Sequence, residues 1–189
     1  MSSTKSPRMS TARSTIAALA ATAGLMLAGC GSSSPTSAGA SPTDTSCVTD
    51  VDSTLGAAGA YIHVTGALGA QPTITAVCDA PTPLSLVTQD IKAGSGATVA
   101  AGGVVTAHYV GYGMTSRTVF DSSWSNGKPI QFSLGGVIPG WTQGLPGMKA
   151  GGRRVLVIPG ALAYGMNPPT SQIAPNETLV FVVDLVSTP

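Results

Sequence analysis

The sequence predicts an α+β domain in which an antiparallel β-sheet packs on one short α-helix. Charged residues make up only 9 % of the 189 residues, so the usual helix formers Glu and Lys are scarce. β-branched and other apolar residues instead recur in short alternating runs between glycines and prolines, as in β-strands. The segment VIPGWTQGLPGM is the compact helical candidate, brief and closed by Pro146 and Gly147. The length suits one compact domain with appendages.

The N-terminal 29 residues resemble the signal peptide of a bacterial lipoprotein. A basic stretch, MSSTKSPRMSTARS, precedes the apolar run IAALAATAGLML, and LAGC follows, ending at Cys30. The apolar run is too short for a permanent membrane span, and its flanks fit a secretory signal. LAGC resembles the lipobox, whose cysteine is acylated and becomes the new N-terminus. The alternative is an ordinary signal peptide with an incidental cysteine. Either leader predicts an extracytoplasmic protein, and the lipobox predicts one anchored to the cell membrane by its lipid.

Residues 30–46 are predicted to be a flexible tether. This stretch is rich in Ser, Thr, Pro and Gly and cannot bury a core. Three of the nine basic residues lie before Cys30, so six basic and eight acidic residues remain after it, a net charge of −2. A chain with this net charge lacks the excess of basic residues that attracts a polyanion. The sequence therefore predicts no nucleic-acid partner.

Two cysteines remain beyond the leader, Cys47 and Cys78, an even pair in an oxidising compartment. A disulfide between them is predicted, and two separate free thiols are the alternative. His63 and His108 are the only histidines, and neither lies at ligand spacing from a cysteine, so no metal site is predicted. His108 is expected on a strand, facing outward or making a local hydrogen bond.

The strands can be assigned in order along the rest of the chain. Residues 47–83 form a β-like N-terminal extension, in which YIHVTGALGAQPTITAV supplies one or two strands. Residues 84–189 form the main domain, beginning with the strand-like LSLVTQDI. Alternation places three sets of apolar side chains each on one face of a strand: Val105, Ala107 and Tyr109; Ile130, Phe132 and Leu134; and Leu179, Phe181, Val183 and Leu185. RRVLVI is a further strand, and Arg153 and Arg154 are expected at its solvated end.

Six segments in series resemble the FKBP-type peptidyl-prolyl isomerases. They are AHYVGYG, VFDSS, PIQFSLG, VIPGWTQGLPGMKAGGRR, VLVIPGALAYG and IAPNETLVFVVDL, in the family's order and with comparable spacing. The resemblance covers Leu84 to Ser187, and its dense part begins at Val104. It implies the family's twisted antiparallel β half-barrel wrapped around one short α-helix. It also implies peptidyl-prolyl cis-trans isomerase activity without a cofactor.

The same resemblance implies the residues of the site. Tyr109, Asp121 and Tyr164 match the family's catalytic positions. The positions that match its substrate-binding cup are Phe120, Ile130, Phe132, Val137, Ile138, Trp141, Ile173 and Phe181. Trp141 would be the floor, and the Ile138 N–H and the Tyr164 hydroxyl would donate to carbonyls of the bound peptide. Asp121 would lie at the rim and accept a hydrogen bond from the Tyr109 hydroxyl.

This reaction suits a site with few classical catalytic groups. A peptide bond before proline changes between cis and trans across a barrier of about 18 to 20 kcal/mol without any bond being broken. A site can lower the barrier by accommodating the twisted amide better than the planar one. The implied partners are proline-containing segments of exported or unfolded proteins and macrolide inhibitors of the tacrolimus class. The lipid bilayer is a further partner, through acylated Cys30. The alternative is a non-catalytic chaperone or partner-binding module of the same fold at the cell surface.

Overall fold

The computed structural model of the chain describes residues 47–189. The predicted signal peptide, the predicted acylation site at Cys30 and the predicted tether therefore lie outside the described residues. Nine strands are assigned: β1 (Cys47–Val48), β2 (Ile62–Thr65), β3 (Thr73–Val77), β4 (Val87–Lys92), β5 (Val104–Gly113), β6 (Val119–Ser122), β7 (Ile130–Ser133), β8 (Arg153–Ile158) and β9 (Leu179–Ser187). One α-helix, α1 (Pro139–Gly144), and three short 3₁₀ helices, Ser53–Ala60, Ser123–Asn126 and Gly160–Leu162, complete the described elements. None of the helices within 47–189 is long and apolar enough to cross a membrane.

A six-stranded sheet forms the main domain, as the sequence predicts. Its order is β4-β8-β9-β5-β6, with β7 also paired to β5, and every pairing is antiparallel. The first half of β5 pairs with β7 and its second half with β6, so these two short strands follow one another along the same long strand. The chain therefore presents β6 and β7 next to each other at one edge of the sheet.

The helix α1 packs closely on the inner face of the sheet. Two glycines one turn apart, Gly140 and Gly144, face β8, where a Cβ atom would meet the side chains of Ile158 and Leu156 at 2.4 Å and 2.7 Å. Only glycine lets the helix approach this strand so closely. Pro139 opens the helix, where its missing N–H costs nothing. As a result Trp141, on the first turn of α1, is buried in the inner core with the apolar face of β5 and β9.

The outer face of the same sheet is covered by the N-terminal extension. Strand β3 pairs with β1 in parallel and with β2 antiparallel, giving a small three-stranded sheet. The run YIHVTGALGAQPTITAV supplies two of these strands, β2 and β3, as predicted, and β1 precedes it. Its apolar side chains share a second core with the outward side chains of the large sheet. This core consists of Leu55, Ala58, Ile62, Ile74, Ala76, Val110, Tyr112, Val155, Val157, Val180 and Val182. A disulfide joins Cys47 to Cys78, with the Cα atoms 5.2 Å apart, as predicted, rather than two free thiols.

The expectation of a solvated strand end at Arg153 is wrong. Arg153 is only 2 % exposed, and its guanidinium forms a bidentate ion pair with Asp184, the residue opposite it on β9. The same guanidinium donates to the carbonyls of Gly66 and Ala70 in the turn between β2 and β3. The extension therefore supplies the acceptors that allow this cation to be buried. Arg154 is partly exposed and pairs with Asp90 on β4.

Candidate active site

A cavity of about 290 Å³ opens on the inner side of the sheet, at the N-terminus of α1. Its lining comes from four strands, the loop before α1, the helix itself and the turn after β8. The lining residues are Tyr109, Asp121, Phe132, Gly136, Val137, Ile138, Trp141, Tyr164 and Phe181. Most of these side chains are aromatic or aliphatic, and their polar groups are two phenols, one carboxylate and the indole N–H of Trp141. A concave apolar site with few polar groups is typical of a binding pocket for a small or extended ligand.

The aromatic rings form a cup around Trp141. The Trp141 ring centroid lies 5.6 Å from that of Tyr109, 5.2 Å from Phe132 and 5.3 Å from Phe181, each pair in an edge-to-face arrangement. Such contacts hold aromatic rings in fixed relative orientations. Trp141 is 3 % exposed and therefore forms the base of the cup, in the position that the resemblance implies.

Tyr109 and Asp121 form the polar contact of the cavity wall. The register of β5 against β6 places Gly111 opposite Asp121, and the Tyr109 hydroxyl donates to Asp121 Oδ2 at 2.5 Å. Burial raises the pKa of the Tyr109 hydroxyl, and the hydrogen bond to the Asp121 carboxylate raises it further. The phenol therefore keeps its proton well above the ordinary range of tyrosine. The expected hydrogen bond between the two side chains is present.

The backbone around Tyr109 is held by Ser123. The Ser123 hydroxyl is buried and accepts a hydrogen bond from the Tyr109 N–H at 2.9 Å. His108 Nδ1 lies 3.1 Å from the same hydroxyl, and the imidazole stacks on Trp124 at a centroid distance of 3.9 Å. The local hydrogen bond expected for His108 is thus confirmed. This arrangement links β5 to the short 3₁₀ helix that follows Asp121.

Ile138 and Tyr164 supply two further donors among the lining residues. Ile138 immediately precedes α1, at a helix end whose first N–H groups have no acceptor within the helix. Tyr164 lies in the turn after β8, which is closed by the Gly165 N–H donating to the Gly160 carbonyl at 2.9 Å. Burial raises the pKa of the Tyr164 hydroxyl, and the negative charge of Asp121 adds to that effect. Both groups can therefore donate to a carbonyl that enters the mouth.

Three of the predicted substrate-binding residues lie beside the cavity rather than on its lining. Phe120 and Ile130 are partly buried against the inner core, and Ile173 is buried in it. The Phe120 ring meets Phe181 edge to face at 5.7 Å, so it supports a wall from behind. The sequence interpretation therefore placed these three residues on the correct side, with the inner core, but not at the correct distance from the cavity. The distance of each from the cavity depends on how the strands and loops curve around α1.

Two glycines of the site, Gly136 and Gly111, were not predicted from the sequence. Gly136 is part of the lining, in the exposed Gly135–Gly136 pair that precedes Val137. Gly111 lies on β5, where a Cβ atom would stand 2.7 Å from the Phe120 ring and 2.9 Å from the Phe181 ring. Its missing side chain lets those two rings meet. The glycines in SLGGV and HYVGYG were visible in the sequence, but their purpose depends on neighbours distant along the chain.

No group of three or more His, Cys, Asp or Glu able to hold a metal ion occurs within residues 47–189. The chemistry available at the cavity is that of an apolar cup with hydrogen-bond donors at its mouth. It can hold a compact apolar ring and orient the carbonyls on either side of it. A prolyl residue within a peptide has this shape and these neighbours.

Comparison with known proteins agrees with this geometry. Residues 96–186 match the model of the FKBP-type peptidyl-prolyl cis-trans isomerase family. The FK506-binding protein of Streptomyces anulatus is 50 % identical over 108 residues, which are 56 % of this chain and 87 % of that protein. FKBP-type peptidyl-prolyl cis-trans isomerase FkpA of Escherichia coli is 45 % identical over 101 residues, 53 % of this chain and 37 % of that protein.

Solved structures give the same result for the fold. The crystal structure of FkpA from Escherichia coli superposes with a TM-score of 0.50 at 44 % identity, over 55 % of this chain and 47 % of the FkpA chain. The crystal structure of AtFKBP13 superposes with a TM-score of 0.50 at 36 % identity, over 57 % of this chain and 96 % of that one. The chain belongs to the family of FKBP-type peptidyl-prolyl cis-trans isomerases. Its activity is accordingly the cis–trans isomerisation of X-Pro peptide bonds.

Proposed function

We propose that this isomerase acts outside the cytoplasmic membrane on X-Pro bonds of exported and unfolded proteins, held at the membrane by a lipid on Cys30. The leader and LAGC support the location, and the Cys47–Cys78 disulfide suits an oxidising compartment. The aromatic cup supports the reaction. The competing function, a binding module without turnover, has no observation in its favour.

The proposed mechanism uses binding rather than bond-making chemistry. The prolyl ring of the substrate enters the cup and rests on Trp141, out of water. The Ile138 N–H and the Tyr164 hydroxyl donate to carbonyls of the peptide and hold its backbone on both sides of the rotating bond. Because the amide loses resonance when it twists, a site that fits the twisted form better than the planar form lowers the barrier. Asp121 acts through Tyr109, whose ring it orients as part of the wall.

The observation that carries this mechanism is the position of the three polar groups. Tyr109, Asp121 and Tyr164 all line the same cavity as the buried Trp141, although 55 residues separate the first tyrosine from the second along the chain. An apolar cup alone would bind a proline side chain. Donors at its mouth also orient the adjoining amides, which is what turnover requires.

The direct test is a proline-isomerisation assay with the full chain. We expect the rate of cis-to-trans conversion of an X-Pro peptide to rise in proportion to protein concentration. Trp141→Ala serves as the matched variant without a floor and should lose most of the acceleration. If the wild-type chain, folded by circular dichroism, leaves the conversion at the uncatalysed rate, the isomerase mechanism is wrong and the binding module replaces it.

Macrolides of the FK506 type are proposed as ligands of the same cup. The support is the cavity with its aromatic lining together with the likeness to the FK506-binding protein of Streptomyces anulatus. The chain has two tryptophans, and only Trp141 lies in the cavity. Added FK506 should therefore change the tryptophan fluorescence of the wild type and of Trp124→Phe, but not that of Trp141→Phe. A fluorescence change that persists in Trp141→Phe would place the ligand elsewhere.

The proposed anchor is tested separately. Cys30→Ser removes the acylation site and should move the protein from the membrane fraction to the soluble fraction. Ser32→Ala, which changes a residue two positions further on and leaves the cysteine in place, is the control and should stay with the membrane. Unchanged membrane association of Cys30→Ser would show that the lipid anchor does not exist.

A further inference from the structure

The mouth of the cup carries a negative charge that pairs with no cation of residues 47–189. Asp121 is exposed at the rim and is a lining residue of the cavity. Among residues 47–189, its carboxylate accepts a hydrogen bond from the Tyr109 hydroxyl and forms no ion pair with any cation. A hydrogen bond from a neutral phenol orients the carboxylate but leaves its charge in place.

The segments that border the cavity contain no other charged residue. Asp121 is the only charged residue within 118–127, and 129–148 and 155–176 contain none. Two further acidic residues, Glu177 just before β9 and Asp184 on it, are buried and engaged elsewhere. Glu177 accepts hydrogen bonds from the backbone of Thr115, Ser116 and Ala174, and Asp184 pairs with Arg153. Lys128, between two of these segments, is exposed and makes no ion pair with Asp121.

The surroundings of this charge enhance its effect on an incoming peptide. Apolar walls of low polarisability screen a charge poorly, so a cleft of one sign attracts opposite charges and repels like ones. A peptide bound with its proline on Trp141 must lay its neighbouring residues across the mouth, because the backbone continues from both sides of the ring and Trp141 forms the base of the cavity. A side chain that flanks the proline therefore comes within the field of Asp121.

We propose that Asp121 is a specificity determinant, which makes the site prefer X-Pro segments with a cationic side chain beside the proline and disfavour those with an acidic one. This inference rests on the proposed isomerase function. It adds a charge preference to a site whose other lining residues carry no charge. It also assigns Asp121 a role in selecting the substrate, besides its role in orienting Tyr109.

The test uses two matched peptide series with the full chain. One series carries Lys, Gln or Glu before the proline, and the other carries them after it. We expect kcat/KM to fall in the order Lys, Gln, Glu in at least one series, with a Lys-to-Glu ratio of about two to thirty, because the attraction of Lys and the repulsion of Glu each contribute as much as one exposed charge pair. Salt should bring that ratio towards one, because an exposed pair is screened within about 10 Å at roughly 0.1 M salt.

Asp121→Asn should remove the preference, giving a ratio near one, even though its overall activity falls. Asp50→Asn is the matched control: it removes one negative charge from the exposed extension, away from the cavity lining, and should keep the wild-type ratio. Lys128→Gln should keep the order as well. The Lys-to-Glu ratio is measured within one variant, so a loss of activity that affects all peptides equally does not change it.

Three results would overturn the inference. The first is a wild-type Lys-to-Glu ratio of one or below in both series. The second is an unchanged ratio in Asp121→Asn, and the third is a ratio that falls as far in Asp50→Asn as in Asp121→Asn. Failure of the isomerase function itself looks different, since then the neutral Gln peptide would not be turned over either. In that case the affinities of the same peptides, measured by Trp141 fluorescence, should show the same order, and equal affinities would end the proposal.

Discussion

At the scale of single residues, the site depends on phenols that stay neutral. Tyr109 and Tyr164 both line the cavity, and burial raises the pKa of each hydroxyl. A neutral hydroxyl can donate a hydrogen bond, and an ionised one cannot. The negative charge of Asp121 acts in the same direction, since it disfavours a second negative charge nearby. The carboxylate therefore helps to keep both tyrosines as donors.

The first prediction concerns the Tyr164 donor. Tyr164→Phe removes the hydroxyl and keeps the ring, so the loss should equal one hydrogen bond, about 0.5 to 1.5 kcal/mol, or about two- to tenfold in kcat/KM. Tyr61→Phe, outside the cavity lining, is the control and should retain full activity. An activity of Tyr164→Phe equal to that of the wild type would show that the hydroxyl makes no contact in the transition state.

At the scale of elements, β8 connects the isomerase sheet to the extension. Its inward residues pack on α1 and its outward residues on the extension, while Arg153 at its start pairs with Asp184 and reaches the turn between β2 and β3. The Gly69 N–H in that turn also donates to Asp184 at 3.0 Å. The extension and the large sheet are therefore joined by a buried polar network as well as by a shared apolar core.

The second prediction compares two neighbouring arginines. Arg153→Met leaves Asp184 buried without its cation, which should lower the free energy of unfolding by about 3 to 5 kcal/mol. Arg154→Met breaks a partly exposed pair with Asp90 and removes two hydrogen bonds that Arg154 donates to carbonyls. These losses should lower the free energy of unfolding by only about 1 to 2 kcal/mol. Urea unfolding of both variants measures the difference. Equal losses would mean that the extension does not depend on Arg153.

The third prediction concerns the disulfide that closes the extension. Cys47 and Cys78 are 31 residues apart, and a loop of that size should contribute about 3 to 4 kcal/mol to stability. The purified protein should therefore be lighter by two hydrogens than its reduced form and should show no reactive thiol at these positions. We expect Cys47→Ser with Cys78→Ser to unfold at lower urea concentration but to keep its isomerase activity. Two alkylated cysteines in protein isolated without reductant would contradict the bond.

At the scale of the whole molecule, one sheet separates two apolar cores. The inner core holds α1 and the cup, and the outer core holds the extension. Each core contains a buried tyrosine, with Tyr109 inside and Tyr112 outside, as the alternation of side chains along β5 requires. Burial raises the pKa of the hydroxyl of Tyr112 as well as those of Tyr109 and Tyr164.

The fourth prediction is a loss of stability in alkaline solution. Because the folded state holds these three phenolic protons more tightly than the unfolded state, their contribution is complete below the ordinary tyrosine pKa of about 10. It decreases as the pH rises above that value, where the unfolded chain releases protons that the folded chain keeps. Urea midpoints should therefore be lower at about pH 11 than at about pH 9. Over this interval the midpoint of Tyr164→Phe should fall by less than that of the wild type, because the variant lacks one of the three phenols. A midpoint that is constant or rises over this interval would contradict the pKa shifts.

The sequence by itself determined the fold class and the face on which the apolar residues of β5, β7 and β9 lie. Alternation is a local property, since successive side chains of a strand must point to opposite faces, and it placed Val105, Ala107 and Tyr109 together without any knowledge of the partner strands. The ordered motifs likewise indicated the cup around Trp141. The leader rests on its order of segments and on the resemblance of LAGC to a lipobox, and the tether on composition; both stay predictions.

Only the tertiary structure decided which of these residues reach the cavity and which charges are buried. Phe120, Ile130 and Ile173 pack with the inner core but lie beside the cavity, whereas Gly136 is part of its lining. Arg153 looked like a solvated strand end because its acceptors are supplied by residues 31 positions ahead of it and more than 80 positions behind it. Local patterns carry no information on such distances, because they are set by strand register and by the packing of segments that are far apart in the chain.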